Sequence, residues 1–270
     1  MDPNYRKAET RTFHLPDGRT LSFSVFGAGA ETFTTTPSPV PHAPNPTTPT
    51  SGSGAILLPR LPSSHEEASI FHQAARRHDV PIIALDRPGH AGSSFQPDRR
   101  IVDWPVDVLA FADFPLQSRG SGFWVCPGEH PPWLTPVVAW GMEMSLGRAA
   151  RDEARPEKFE GIVLEDLKTR PGVDRDVLDG NVGGVRSAML ASVRDAVLPG
   201  GWGPAWDVKL VGSHWGFEIG ELVVEDGEMV WWHGREDVNV PAGLVERAAE
   251  CVRRAEEVVS TLGGMLRKTS

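Results

Sequence analysis

Apolar and polar residues alternate through Thr12–Phe26 on both sides of Pro16-Asp17-Gly18, which predicts two strands joined by a tight Asp-Gly turn. The pattern then vanishes. Residues 31–54 are rich in Thr, Pro, Ser and Gly and have almost nothing to bury, so they read as an extended, mobile insertion. Ala55-Ile56-Leu57-Leu58 and Pro81-Ile82-Ile83-Ala84-Leu85 are short apolar runs of the kind buried on both faces of a sheet. Between them, Ser64-x-x-Glu67 has the spacing of a capping box, and Ala68, Phe71 and Ala75 share one helical face. Strand, helix, strand predicts a parallel crossover. The alternation continues with a helix over 105–112, a strand at 136–140, a helix over 144–154 and a strand at 161–164. An irregular helical stretch follows to about Trp215, then a strand at Met229–Trp232. A last helix near Pro241 sets Leu244, Val245, Ala248, Ala249, Val252 and Ala255 opposite Glu246, Arg247, Glu250, Arg253 and Arg254. The expected architecture is one α/β domain over 1–270, a doubly wound, mostly parallel sheet. Ligands in such sheets bind at the carboxyl ends of the strands, which directs attention to the loops after Leu58, Leu85, Trp140, Leu164 and Trp232.

Composition narrows the function classes. With 27 Lys+Arg against 36 Asp+Glu, a net charge of -9 and no basic cluster, the chain is not expected to bind nucleic acid. No apolar run is long enough to span a membrane, and Met1–Thr20 lacks the apolar core of a secretion signal, so a cytoplasmic setting is expected. Cys126 and Cys251 lie in no Cys-x-x-Cys pair and read as small core residues. His65-Glu66 followed by His72 and His78 lacks the four-residue histidine spacing of a helical zinc site, so neither metal nor other cofactor is expected from spacing.

Four blocks carry a resemblance: Asp17-Gly18-Arg19 with Leu21 and Phe23; Leu61–Ala68; Asp86-Arg87-Pro88-Gly89-His90-Ala91-Gly92-Ser93-Ser94; and His233-Gly234-Arg235-Glu236-Asp237-Val238-Asn239-Val240-Pro241. In this order they resemble a branch of small microbial and fungal proteins of the α/β-hydrolase superfamily. The resemblance implies that fold, with 171–222 as a small helical cap. It also implies a triad in the chain order nucleophile, acid, histidine, with the nucleophile on a strained strand-to-helix turn.

On that template Asp237 takes the place of the acid, against the plainer reading of an aspartate capping a turn. Gly141-Met142-Glu143-Met144-Ser145-Leu146-Gly147 takes the place of the elbow, with either Glu143 at its tip or, two residues on, Ser145 as nucleophile; an ordinary helix start is the competing reading for Ser145. The nine histidines stand at 14, 42, 65, 72, 78, 90, 130, 214 and 233, and none follows Asp237; Leu262 or Gly263 occupies the place of the proton shuttle. Losing the shuttle from a working triad costs on the order of 10⁶ in turnover. His90 and His214 are the candidates for a displaced base. Pro59-Arg60 replaces the His-Gly that opens an oxyanion hole, leaving Arg60 and Leu61 at that rim, with Arg60 either a compensating charge or a surface residue. Trp202, Trp206, Trp215, Trp231 and Trp232 either line an apolar pocket or fasten the cap.

Two functions follow as expectations. One is weak or absent hydrolysis of a carboxylic ester or related bond. The other is a non-catalytic protein that binds a small apolar or ester-type molecule or acts as a scaffold.

Overall fold

The computed structural model describes residues 5, 7–31, 55–112, 133–168, 172–213, 215, 217, 233, 234, 237 and 240–251. These residues fall into two compact units, one up to Leu210 and the other from Val211 onward.

In the first unit, β1 (Arg11–His14) pairs antiparallel with β2 (Thr20–Gly27) in the register Arg11↔Phe23 to His14↔Thr20, as the alternation predicts. Gly18 sits at φ 86°, a conformation that costs glycine nothing, and Asp17 Oδ1 accepts the Arg19 N–H at 3.0 Å. β3 (Ala55–Leu57) and β4 (Pro81–Leu85) are parallel neighbours, and β2 pairs antiparallel with β4, giving the order β1-β2-β4-β3. Thus one of the three described pairings is parallel. Leu21, Phe23, Val25, Ile83 and Leu85 pack on Phe111, while Phe26 and Ala84 pack with Ala68 in a separate cluster. Arg19 reaches from the hairpin to the buried Asp107 through two bonds of 2.8 and 2.6 Å, tying the sheet to α2 (Asp103–Ala112).

The crossover between β3 and β4 is a 3-10 turn, His65–Phe71, that continues as α1 (His72–Arg77). Ser64 caps it, but its Oγ accepts from the Glu66 N–H, and Glu67 turns away to Arg60 instead of completing a capping box. Ala68 and Ala75 are buried as expected, whereas Phe71 is exposed.

Two predicted strands are helices. The run 136–140 lies inside α3 (Leu134–Met142), where Thr135 and Ala139, four residues apart, are the buried positions. The run 161–164 lies inside α5 (Pro156–Leu167), which opens with proline at its first turn and buries Phe159 beside Val163. Short apolar runs do not distinguish strand from buried helix by period alone. Between α3 and α5 the chain continues through a π-turn, Glu143–Gly147, into α4 (Arg148–Arg151).

The helical stretch expected after residue 171 is present as α6 (Gly172–Asp179), α7 (Val185–Val197) and α8 (Trp202–Val211). α8 approaches the loop after β4 so closely that a Cβ on Gly203 would overlap the Gly89 carbonyl. Gly203→Ala is therefore expected to cost about 1–3 kcal/mol, read from the urea midpoint of unfolding.

In the second unit, α9 (Ala242–Cys251) starts after Pro241 and buries Val245 and Ala249 while exposing Glu246, Arg247 and Glu250, as patterned. Residues 32–54 of the insertion expected at 31–54, the strand expected at 229–232 and everything after Cys251 lie outside the described residues.

Candidate functional site

The loops at the carboxyl ends of β3 and β4 meet in a buried polar knot. Arg87, two residues after the end of β4, donates to the Pro59 carbonyl and, at 2.7 Å, to the Arg60 carbonyl of the loop after β3. Its Nε donates to Asp207 Oδ2 of α8 at 2.7 Å, and Arg99 donates to the other oxygen of the same carboxylate. The Trp206 indole N–H closes the ring by donating to the Arg99 carbonyl at 2.9 Å. His90 is wholly buried here, its Nε2 3.3 Å from Asp207 Oδ2, and neither ring nitrogen makes a hydrogen bond. Burial, helped by the charges of Arg87 and Arg99 and opposed by Asp207 and Asp86, lowers its pKa to about 4. The imidazole is therefore neutral at neutral pH. Burial works against the Asp207 carboxylate, but Arg87, His90 and Arg99 outweigh it and hold its pKa below the ordinary aspartate value.

A second knot lies beside the first. Asp86 Oδ1 accepts the His65 backbone N–H at 2.6 Å, while Oδ2 accepts the Ser22 hydroxyl and contacts His65 Nδ1, both at 2.6 Å. Ser93 Oγ donates to the Asp86 carbonyl and accepts the Ser22 N–H. Serine, histidine and aspartate thus come together, but with the carboxylate in the middle. A charge relay needs the imidazole between the other two. Ser22 here is already bonded to the acid, and His65 Nε2 is taken by Thr10 Oγ1 at 3.2 Å. The His65 cation is disfavoured by burial, yet the hydrogen bond and charge of Asp86, with Glu66 and Asp195, raise its pKa overall. The sequence reading missed this pairing. The available signal was that His65 and Asp86 occupy motif blocks immediately following the adjacent strands β3 and β4.

Within the first unit, His90, Trp206 and the Arg60 carbonyl belong to the first knot, while Glu143 and Ser145 lie in the π-turn between α3 and α4. Ser145 sits in the π-turn, exposed, and its Oγ donates to the Gly141 carbonyl at 2.8 Å. Glu143 has ordinary helical angles, φ -62° and ψ -46°, and pairs with Arg151. Neither is at a strand-to-helix elbow, because the expected strand is α3. The Arg60 N–H, which would face an oxyanion, donates to Glu67 Oε2 at 3.0 Å, and its side chain pairs with the same carboxylate; Leu61 is exposed beside it. Trp206 is buried between Phe95 and Lys209, and Trp202 is half exposed against Phe95. In the second unit Trp215 touches Phe217, and Asp237 caps a turn by accepting the Val240 N–H at 3.0 Å, while His233 Nε2 contacts the Val240 carbonyl at 2.7 Å. His214 lies outside the described residues, as do Trp231 and Trp232.

No protein-family model matches the chain, and no curated protein matches it in sequence. Solved structures do match in shape. The enol-lactonase from Burkholderia xenovorans LB400 aligns over 95% of this chain and 100% of its own, with 13% identity and a TM-score of 0.50. The bromoperoxidase from Bacillus anthracis aligns over 91% of this chain and 88% of its own, with 10% identity and a TM-score of 0.51. Identities this low speak for architecture and not for chemistry. The hairpin, the parallel crossover and the helices that follow therefore belong to the α/β-hydrolase fold.

Proposed function

We propose that this protein uses the α/β-hydrolase fold to bind a small apolar or ester-type molecule, and that serine-type hydrolysis by it is weak or absent. The observation that carries this reading is the state of Ser145: its hydroxyl is committed to the Gly141 carbonyl inside a helical turn. No described histidine is hydrogen-bonded to it. Without a base to take the proton, a serine hydroxyl is a poor nucleophile near neutrality. Two further features support the reading. His90 is neutral but sealed from solvent, and the Arg60 N–H is turned to Glu67. Phe95 and Trp202, 6.3 Å apart and both over one-third exposed, offer an apolar surface for a ligand.

A fluorophosphonate probe followed by intact-mass measurement tests the proposal. The expected result is no adduct and, on a panel of aryl esters, turnover at least about 10⁴-fold below the roughly 10 s⁻¹ typical of enzymes. Residual activity is expected to be the same in Ser145→Ala and Glu143→Gln. Reproducible hydrolysis that Asp237→Asn abolishes would overturn it. Apolar esters are expected to raise the melting temperature without being consumed.

A further inference from the structure

We propose that His65, Glu66 and Asp195 form a binding site for a divalent transition-metal ion, with Zn²⁺ as its representative, where the 3-10 turn meets α7. Each contributes one ligand atom, and the three atoms lie within 4.8 Å of one another. An imidazole with two carboxylates is a donor set that suits zinc. The inference is independent of the hydrolase reading and requires no reaction.

The independent sign of a ligand is Glu66. Its side chain is wholly buried; Oε2 is held by the Tyr5 hydroxyl at 3.1 Å, yet Oε1 makes no hydrogen bond. That bare oxygen faces His65 Nε2 at 3.8 Å. Buried carboxylates are normally paired, hydrogen-bonded or coordinated to metal, and this one is half satisfied. His65 is also oriented as a metal ligand is: its other nitrogen contacts the Asp86 carboxylate at 2.6 Å, which fixes the ring with Nε2 toward the cluster. Burial, the largest influence on both Glu66 and Asp195, raises their pKa values, and the nearby charges of His65 and Lys7 offset it only in part.

The geometry requires only small adjustment. Zinc bonds of about 2.0–2.2 Å set tetrahedral ligands about 3.4 Å apart, so shifts of about an ångström in two carboxylate side chains close the site. Asp195 is only partly buried and provides the entry path. Thr10 Oγ1, 3.2 Å from Nε2, is the group the ion would displace or take as a further ligand beside water. The ion would fasten α7 to the crossover, where Ser192 already bonds Ser64. Sequence spacing conceals such a site because Asp195 is far along the chain from the adjacent pair His65-Glu66.

The test titrates chelator-treated full-length protein with Zn²⁺ by calorimetry at neutral pH and follows thermal unfolding in parallel. The expected result is one site with Kd on the order of 10⁻⁶ M or tighter, accompanied by a higher melting temperature. Glu66→Gln and Asp195→Asn should each weaken binding at least about tenfold. The metal-free melting temperature should stay the same or rise in both, since each removes a poorly compensated carboxylate. Should Glu66→Gln fail to fold, Asp195→Asn, at the more exposed position, makes the same comparison. Absence of a one-site isotherm below about 100 μM, or an isotherm unchanged in these variants because exposed histidines hold the ion, would overturn the proposal.

Discussion

Replacing Asp207 with asparagine is expected to destabilise the first unit by about 3–5 kcal/mol, a large part of the 5–15 kcal/mol that holds a typical domain folded. The carboxylate is 4% exposed and receives guanidinium groups on both oxygens, from Arg87 and Arg99. Arg99 is 3% exposed, and its Nε and Nη1 have no hydrogen-bond partner, so the aspartate is its compensating charge. Burial already lowers the Arg99 pKa against that attraction. An amide retains the shape of Asp207 but leaves two buried cations facing each other. Arg87 would keep its bonds to the Pro59 and Arg60 carbonyls, which limits the loss. Urea unfolding at neutral pH measures the effect. The double variant Asp207→Asn/Arg99→Met should recover part of the loss, because removing an entire buried pair costs less than removing one partner. A loss under about 1 kcal/mol for Asp207→Asn alone would mean that water reaches these guanidinium groups.

The parts of this fold legible in the sequence were those with a local cause. The Asp17-Gly18 turn needs φ > 0 at its glycine, and Asp17 accepts the backbone N–H of Arg19 two residues on, so the hairpin could be read from a few residues. The apolar runs Ala55–Leu58 and Pro81–Leu85 each form a strand, with Ala84 and Leu85 of β4 buried as expected but Ala55 and Leu58 exposed and Ile56 and Leu57 only half-buried, and their parallel pairing followed from the helix between them. The failures at 136–140 and 161–164 share one cause: five or fewer apolar residues fit either period, and tertiary contacts decided for helix. In α5 the deciding partners are Ala149, Ala150 and Val197, which surround Phe159 and come from α4 and α7. Nothing near Phe159 in sequence announces them. The site was legible at the level of blocks and not of pairs. DRPG and the SSHEEA segment marked the correct loops, yet the bonds from Asp86 to His65 and Ser22, and from Arg87 to Asp207, join residues 21 to 120 positions apart. The elbow assigned to Ser145 depended on a strand at 136–140, and with α3 in its place the geometry that strains a nucleophile is missing there.

His90 supplies the largest pH effect. The ordinary histidine value is 6.5 and burial lowers this one to about 4, a gap equivalent to about 3 kcal/mol. The sign follows from where protons bind. Above pH 6.5 the residue is neutral in both folded and unfolded chains and contributes nothing to the slope. Between 6.5 and 4 the unfolded chain takes up a proton that the folded protein refuses, so stability falls as pH falls. Below 4 both states are protonated and the loss is complete. The surrounding groups act on the same ring: Asp207 from α8 and Asp86 favour the cation, Arg87 and Arg99 oppose it, and burial decides. Other residues add their own slopes. Glu66 and Asp195, with raised pKa values, gain stability on acidification, whereas Asp207, with a lowered one, loses it as pH falls below the ordinary aspartate value. Total stability against pH therefore mixes several terms, and the informative quantity is a difference. The urea-derived stability of His90→Gln, followed from pH 7 to pH 4, should decline by about 3 kcal/mol less than that of the unaltered protein. Parallel declines in the two proteins, or a ring titration near 6.5 by NMR, would show that water solvates His90 and that the knot around Asp207 is open to it.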